Sequence, residues 1–261
     1  MTSALTIHTA GDAASPTVVV LHGLTDAGDN FPDLVDRWQR DWRIVAPSMR
    51  GHGTSPRFHD DELGHTADLM LDDVLAVLDD QPEPVVLLGH SMGGALALRA
   101  AVARPTAVRA LVLEDPPRAD GGPSPAEHAA GFLEFVEQVS ARVGRGELEA
   151  LVTESTWSRP EAEAWARCKP QVQRDYLRDG LHLGRESWAD LVARLTVPTL
   201  LVLPDRDSVA PAHSDSVAAE PGPDNPQLRT VVVADAGHCV RRDQPEAYFE
   251  AVEDFLVSAV A

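Results

Sequence analysis

Hydrophobic positions along this chain fall into two alternating patterns. One is the short continuous apolar run, rich in Val, Ile and Leu. It occurs at Thr17–Leu21, Arg43–Pro47, Val85–Leu88, Val108–Leu113, Val197–Leu203 and Leu228–Val233. Runs of this length predict strands buried on both faces. A further short strand is expected within Leu5–Thr9. The other pattern is helical spacing. Phe31, Leu34, Val35 and Trp38 share one face, with Asp29 or Asn30 as the candidate N-cap. Thr66–Leu78 is amphipathic, an Ala/Leu-rich segment follows Ser91, and a last helix is expected over Pro245–Val257. Strands alternating with helices predict an α/β fold with a mostly parallel, doubly wound sheet. After the strand ending near Leu113 the texture changes. Residues 118–194 hold no convincing strand, and helices are expected near 127–143, 147–153, 160–167 and 171–177. The chain thus divides into a core, 1–116 with 195–261, and a helical insertion, 117–194. Such an insertion sits over the carboxyl edge of the sheet, where these folds place their sites.

The junction of one strand with the next helix carries the chemistry. It reads Gly89-His90-Ser91-Met92-Gly93-Gly94. A serine on so tight a strand-to-helix turn needs neighbours without bulk, and its Oγ then stands clear of the chain. A serine hydroxyl also needs a base, and the base needs a carboxylate to set its tautomer. His238 lies in a loop of small residues after the last strand, facing the same crevice, and is the candidate base. The candidate acid is Asp207, just after the Leu203 strand. Asp115, Asp205 and Glu114 compete with it. Backbone N–H groups of Met92 and Leu24 are the candidate oxyanion donors, with Gly23 giving the second loop its freedom to turn inward. His22 and His90 are read as structural, and most of the remaining histidines, His52 among them, as surface residues.

Taken together, these segments resemble the α/β-hydrolase fold family. They are His22-Gly23, Arg50-Gly51-His52-Gly53-x-Ser55, the Ser91 turn, Asp207-x-x-x-Pro211 and Gly237-His238 followed by Gln244-Pro245-Glu246. The resemblance spans essentially the whole chain, in the family's order Ser…Asp…His. Ser48 and Pro204 depart from it, standing where relatives carry aspartate and glycine. By resemblance the helical insertion is a cap that shapes the substrate pocket. Asp115 keeps a place because some relatives take their acid from the end of the strand after the elbow helix. The implied activity is a serine hydrolase working through an acyl-enzyme. The same fold also hosts carbon–carbon bond hydrolases, cofactor-free perhydrolases or haloperoxidases, and small-molecule receptors.

Composition narrows the partners. The net charge is −19, from 41 acidic and 22 basic residues. That surface repels nucleic acid and anionic membrane. No apolar run approaches a membrane span and no signal peptide is read, so the expectation is a cytoplasmic monomer or homodimer acting on a small molecule. The two cysteines, Cys168 and Cys239, form no metal cluster or disulfide framework, and no cofactor or metal is called for. Phe132, Phe135, Trp157, Trp165, Tyr176 and Trp188 supply the insertion with aromatic rings. The first two phenylalanines and the three tryptophans are the candidate substrate-binding residues. No basic cluster marks a polyanionic substrate. A small to medium, largely apolar ester or lactone is expected.

Overall fold

The computed structural model describes residues 4–117, 125–180, 182–205 and 225–260. The strands are β1 (Ile7–Ala10), β2 (Thr17–Leu21), β3 (Arg43–Pro47), β4 (Val85–His90), β5 (Val108–Glu114), β6 (Thr199–Pro204) and β7 (Leu228–Val233). They form one sheet in the order β1-β3-β2-β4-β5-β6-β7. Only β1 is antiparallel, so the sheet's first edge is a single short strand on β3. The other pairings are parallel. β6 begins at Thr199 rather than Val197, since Pro198 has no N–H to give a ladder.

The uninterrupted apolar runs follow from this arrangement. Val19, Leu21, Leu87, Leu111, Leu113, Leu201 and Leu203 point to one face. Val18, Val20, Val86, Leu88, Val112, Leu200 and Val202 point to the other. Both faces are covered. Helices α2 (Thr66–Asp79) and α3 (Met92–Ala103) pack on the first through Met70, Val74, Leu96 and Leu98. Helix α1 (Pro32–Trp38) covers the second with Leu34 and Trp38. α10 (Pro245–Val260) joins it with Tyr248, Phe249, Val252 and Phe255. Each fully buried Leu or Phe contributes about 1.5–3 kcal/mol of transfer free energy, so the sandwich is a rigid platform for its loops.

Neither Asp29 nor Asn30 caps α1. Phe31 occupies the N-cap with no side-chain bond, and Pro32 takes the first helical position, where its missing N–H costs nothing. The Asn30 amide instead donates to Cys168 Sγ at 3.6 Å. Ser48 is buried and holds its loop together. Its Oγ accepts from Gly28 N–H at 3.0 Å, and its carbonyl accepts from Ser55 Oγ at 2.5 Å.

Between β5 and β6 the regular elements among the described residues are all helices. The elements are α4 (Pro125–Gly144), α5 (Leu148–Glu154), α6 (Arg159–Cys168), α7 (Arg174–Asp179) and α8 (Trp188–Ala193). α8 lies beside α3, and Trp188, Leu191 and Val192 join the core on the first face of the sheet. A four-residue α9 (Val240–Asp243) precedes α10. No helix among the described residues is long and apolar enough to cross a membrane.

Candidate active site

β4 ends at His90 and α3 begins at Met92, so Ser91 alone makes the turn. Its backbone sits at φ 52°, ψ −122°, a strained region for a side-chain-bearing residue that costs on the order of 1–3 kcal/mol. The glycines around it are sterically required. A Cβ on Gly89 would lie 2.2 Å from the Gly93 carbonyl oxygen, and one on Gly93 would lie 2.3 Å from that of Leu21. Strand and helix touch here through bare backbone. Ser91 N–H donates to the Glu114 carbonyl at 2.9 Å, which carries the β4–β5 ladder into the turn.

His238 arrives from the loop after β7. Its Nδ1 lies 2.6 Å from Oδ2 of Asp115, and both side chains are largely buried. The carboxylate accepts from Nδ1–H, which leaves Nε2 as the basic nitrogen. Asp115 is the first residue after β5, held at φ 39°, with its N–H donating to the Val202 carbonyl at 2.9 Å. Among the described residues the carboxylate at hydrogen-bond distance from His238 is that of Asp115, which the sequence places behind Asp207. Asp207 lies outside the described residues. Asp205 is exposed at the end of β6. Glu114 is buried, and its Oε1 accepts from Arg241 N–H at 2.8 Å.

Leu24 follows β2 on a loop pressed against the serine. A Cβ on Gly23 would stand 2.9 Å from the His90 ring and 3.5 Å from Ser91 Cβ. Two buried histidines hold this loop. His22 Nδ1 bonds the Gly23 carbonyl at 2.8 Å, while its Nε2 accepts from Met49 N–H at 2.9 Å. Burial and the neighbouring His52 push the His22 imidazole down to about 3, so it is a neutral strut. His52 is not a surface residue. It is fully buried, with Nε2 2.6 Å from the Leu24 carbonyl and Nδ1 2.9 Å from that of Arg50. The peptides on both sides of Leu24 are thus held through their carbonyls, that of Gly23 by His22 and that of Leu24 by His52. Met92 N–H stands at the first position of α3, ahead of Gly94 and Ala95, whose N–H groups donate to the Ser91 carbonyl at 2.8 and 3.1 Å.

A cavity of about 620 Å³ opens onto Ser91 and His238. Phe132 and Phe135 of α4, Trp165 of α6 and Trp157 wall it, together with Leu24 and Thr25 from the β2 loop. Trp157 packs edge-on to Trp165 at 5.7 Å, and Phe135 lies 5.9 Å from Trp165. Trp188 does not belong to this wall. It is drawn to the first face of the sheet, where it lines a separate small cleft with Leu98 and Arg99. Tyr176 is also fully buried, with its hydroxyl 3.3 Å from Met92 Sδ.

One side of the cavity is ionic, which no motif announced. Asp26 receives Lys169 Nζ at 2.6 Å and Arg242 at 3.0 Å. Glu161 of α6 receives both Arg241 and Arg242. Burial pushes the Asp26 carboxyl up, but Arg242 and Lys169 together hold it well below the usual carboxylate range. Lys169 and Arg242 are engaged within the protein, while Arg241 Nε is buried without a hydrogen-bond partner among the described residues. Lys169 Nζ also reaches the Thr25 carbonyl and Cys168 Sγ, and Arg242 Nη2 reaches the Asn30 carbonyl. A signal for this cluster did exist. Lys169 is the only lysine of the chain, and it is fully buried.

His90 proves to be a neighbour of the site. Its ring lies 4.8 Å from that of His238, and burial, then His238, push its basicity well down. Burial raises the Cys239 thiol to about 12 and the Cys168 thiol to about 11, so neither is a nucleophile near neutral pH. Among the described residues no three His, Cys, Asp or Glu side chains gather to hold a metal.

Residues 18–251 match the profile of the alpha/beta hydrolase family. The sn-1-specific diacylglycerol lipase ABHD11 of Mus musculus is 30% identical, over 94% of this chain and 82% of its own. A pimeloyl-[acyl-carrier protein] methyl ester esterase of Xanthomonas campestris is 29% identical, over 93% of this chain and 96% of its own. Among solved structures, a putative aryl esterase from Burkholderia cenocepacia superposes with a TM-score of 0.75 at 19% identity, covering 100% of this chain and 98% of that one.

Proposed function

The chain belongs to the alpha/beta hydrolase family, and from that premise we propose that it is a serine hydrolase of small to medium, uncharged carboxylic esters. The observation that carries this is the pair His238–Asp115 at 2.6 Å, opening with Ser91 onto one aromatic-walled cavity. Ser91 Oγ attacks the ester carbonyl while His238 Nε2 takes its proton. Asp115 stabilises the imidazolium that forms. The carbonyl oxygen becomes an oxyanion received by Met92 and Leu24 N–H. The tetrahedral species then expels the alcohol, which takes its proton from His238, leaving an acyl-Ser91. A water, deprotonated by His238, repeats the attack and releases the acid.

The internal pairing of the cavity's ionic side supports the choice of uncharged substrates. A substrate carboxylate entering beside Arg242 would find each guanidinium nitrogen already engaged, by Glu161, Asp26 and the Asn30 carbonyl. Two relatives named as a lipase and as a methyl ester esterase agree with an ester as the bond cleaved. The volume suits a ligand of ordinary small-molecule size, which sites of about 300–1,000 Å³ accommodate. Lactones of that size fit the same reading.

The test is a panel of p-nitrophenyl esters of rising acyl length, with a charged hemiester as control. A fluorophosphonate label is located in parallel by mass spectrometry. Turnover should peak at a medium acyl chain and be poor for the hemiester, with the label on Ser91. A folded Ser91→Ala variant that keeps its turnover would refute the mechanism.

A further inference from the structure

The loop that presents His238 is short of regular structure and must be held by something. Asp235 within it takes φ 61°, and Gln244 Nε2 donates to the Asp235 carbonyl at 3.2 Å. The second tie comes from Asp243, the last residue of α9. Its Oδ2 accepts from Gly237 N–H at 2.8 Å, one residue before the base. Its Oδ1 accepts from Trp157 Nε1–H at 2.6 Å, and Trp157 belongs to the inserted helical segment that walls the cavity. One carboxylate therefore joins the pocket wall to the backbone of the base. Gly237 is what makes this reach possible, because a Cβ there would already stand 3.0 Å from Oδ2. The Trp157 ring is itself braced, by the Arg242 guanidinium 5.1 Å from its centroid and by Trp165 edge-on.

We infer that Asp243 is a positioning residue for the hydrolysis: through Trp157 and Gly237 it ties the orientation of His238 to the placement of the insertion's aromatic wall. This rests on the hydrolase reading above. Asp243 has the chemistry the task needs. An ionised carboxylate accepts on both oxygens, and charge-assisted bonds of this length are about twice as strong as neutral ones. Asparagine accepts on one side only and turns an NH₂ toward the other donor. In Asp243→Asn one tie is lost, and either the wall or the His238 loop is released. Base geometry tolerates little of this, since displacements near 1 Å can cost on the order of 10² in rate.

The experiment is a double-mutant cycle of Asp243→Asn and Trp157→Phe in the whole chain. The second variant keeps an aromatic ring but removes the indole N–H. For each folded variant, kcat and KM are measured on p-nitrophenyl butyrate, with the rate of Ser91 phosphonylation by a fluorophosphonate and the melting temperature. Asp243→Asn is expected to lower kcat and phosphonylation together by about tenfold, while KM moves by less than about twofold. The double variant should be no slower than Asp243→Asn alone, because the Trp157 bond ends on Asp243. Gly237→Ala, which crowds Oδ2 while keeping both partners, should slow the same two rates. A merely structural Asp243 would lower the melting temperature and leave kcat per folded molecule at the wild-type value. That result, or rate losses that multiply in the double variant, overturns the inference. If Asp243→Asn does not fold, Trp157→Phe and Gly237→Ala decide: wild-type phosphonylation in both overturns it. Failure of the wild-type chain to take the label at Ser91 would instead overturn the hydrolase reading itself.

Discussion

Asp115→Asn changes one atom in size and removes one charge. The residue's main-chain bond to the Val202 carbonyl does not involve the side chain, so the turn after β5 is expected to persist. What is lost is the partner of His238 at the moment it becomes an imidazolium. The two groups are 2.6 Å apart at their nearest atoms, with side-chain exposures of 13% and 8%. Taking charge centres about 4 Å apart and an effective dielectric near 20, the attraction is about 4 kcal/mol. That corresponds to roughly 10³ in rate. Asparagine also removes control of the imidazole tautomer, and the equivalent change in a serine protease triad costs about 10⁴. The expected fall in kcat/KM is therefore about 10³–10⁴, with KM little changed. The assay is p-nitrophenyl butyrate hydrolysis at neutral pH, with circular dichroism to certify the fold. Asp207→Asn is run beside it and is expected to stay within a few-fold of wild type. A loss of 10³ in Asp207→Asn with an active Asp115→Asn would refute the assignment.

Gly89→Ala places a methyl 2.2 Å from the Gly93 carbonyl oxygen, so urea denaturation should show a loss of about 3 kcal/mol or more. Glu161→Gln takes the carboxylate partner from the nearly inaccessible Arg241 and leaves Arg242 only Asp26; a destabilisation of about 3–5 kcal/mol is expected in the same assay, and a loss under 1 would contradict it. Glu114 sets a pH dependence. Burial raises its carboxyl from 4.5 to about 6, so folding favours the protonated form. Its stabilising contribution is complete below about pH 4.5 and is lost as pH rises through about 6. The shift amounts to about 2 kcal/mol, so Glu114→Gln should gain about that much on wild type between pH 4.5 and pH 7. Equal pH slopes for the two proteins would show that Glu114 is not shifted.

Much of this molecule was legible in one dimension. The continuous apolar runs marked β2 to β6 because a strand covered on both faces has no polar side to show; β7, read the same way, is an edge strand whose Arg229, Thr230 and Val232 are exposed. The nucleophile turn was legible because its constraint is local: Gly89, Ser91 and Gly93 meet within five residues, and only bare backbone passes there. His238 is singled out in sequence by its place after the last strand, and the structure puts it on the same cavity as Ser91. Other features depend on which distant segments meet. Asp115 and Asp207 both follow parallel strands, and spacing alone cannot rank them. The structure brings Asp115 to His238 across 123 positions. The same holds for the ionic wall, where Asp26, Glu161, Lys169 and Arg242 come from three separated stretches of chain and neutralise one another. It holds for Trp188, an aromatic residue like Trp157 in every local respect, yet drawn to the sheet face by α8. His52 reads as a loop histidine until the loops around it close. Sequence alone determined most of the elements and the tight turn at Ser91, because periodicity and backbone sterics act between near neighbours. Only the tertiary structure brought Asp115 to His238 and set the lining of the cavity and its charge balance, because Coulomb and packing forces act between residues that folding brings together.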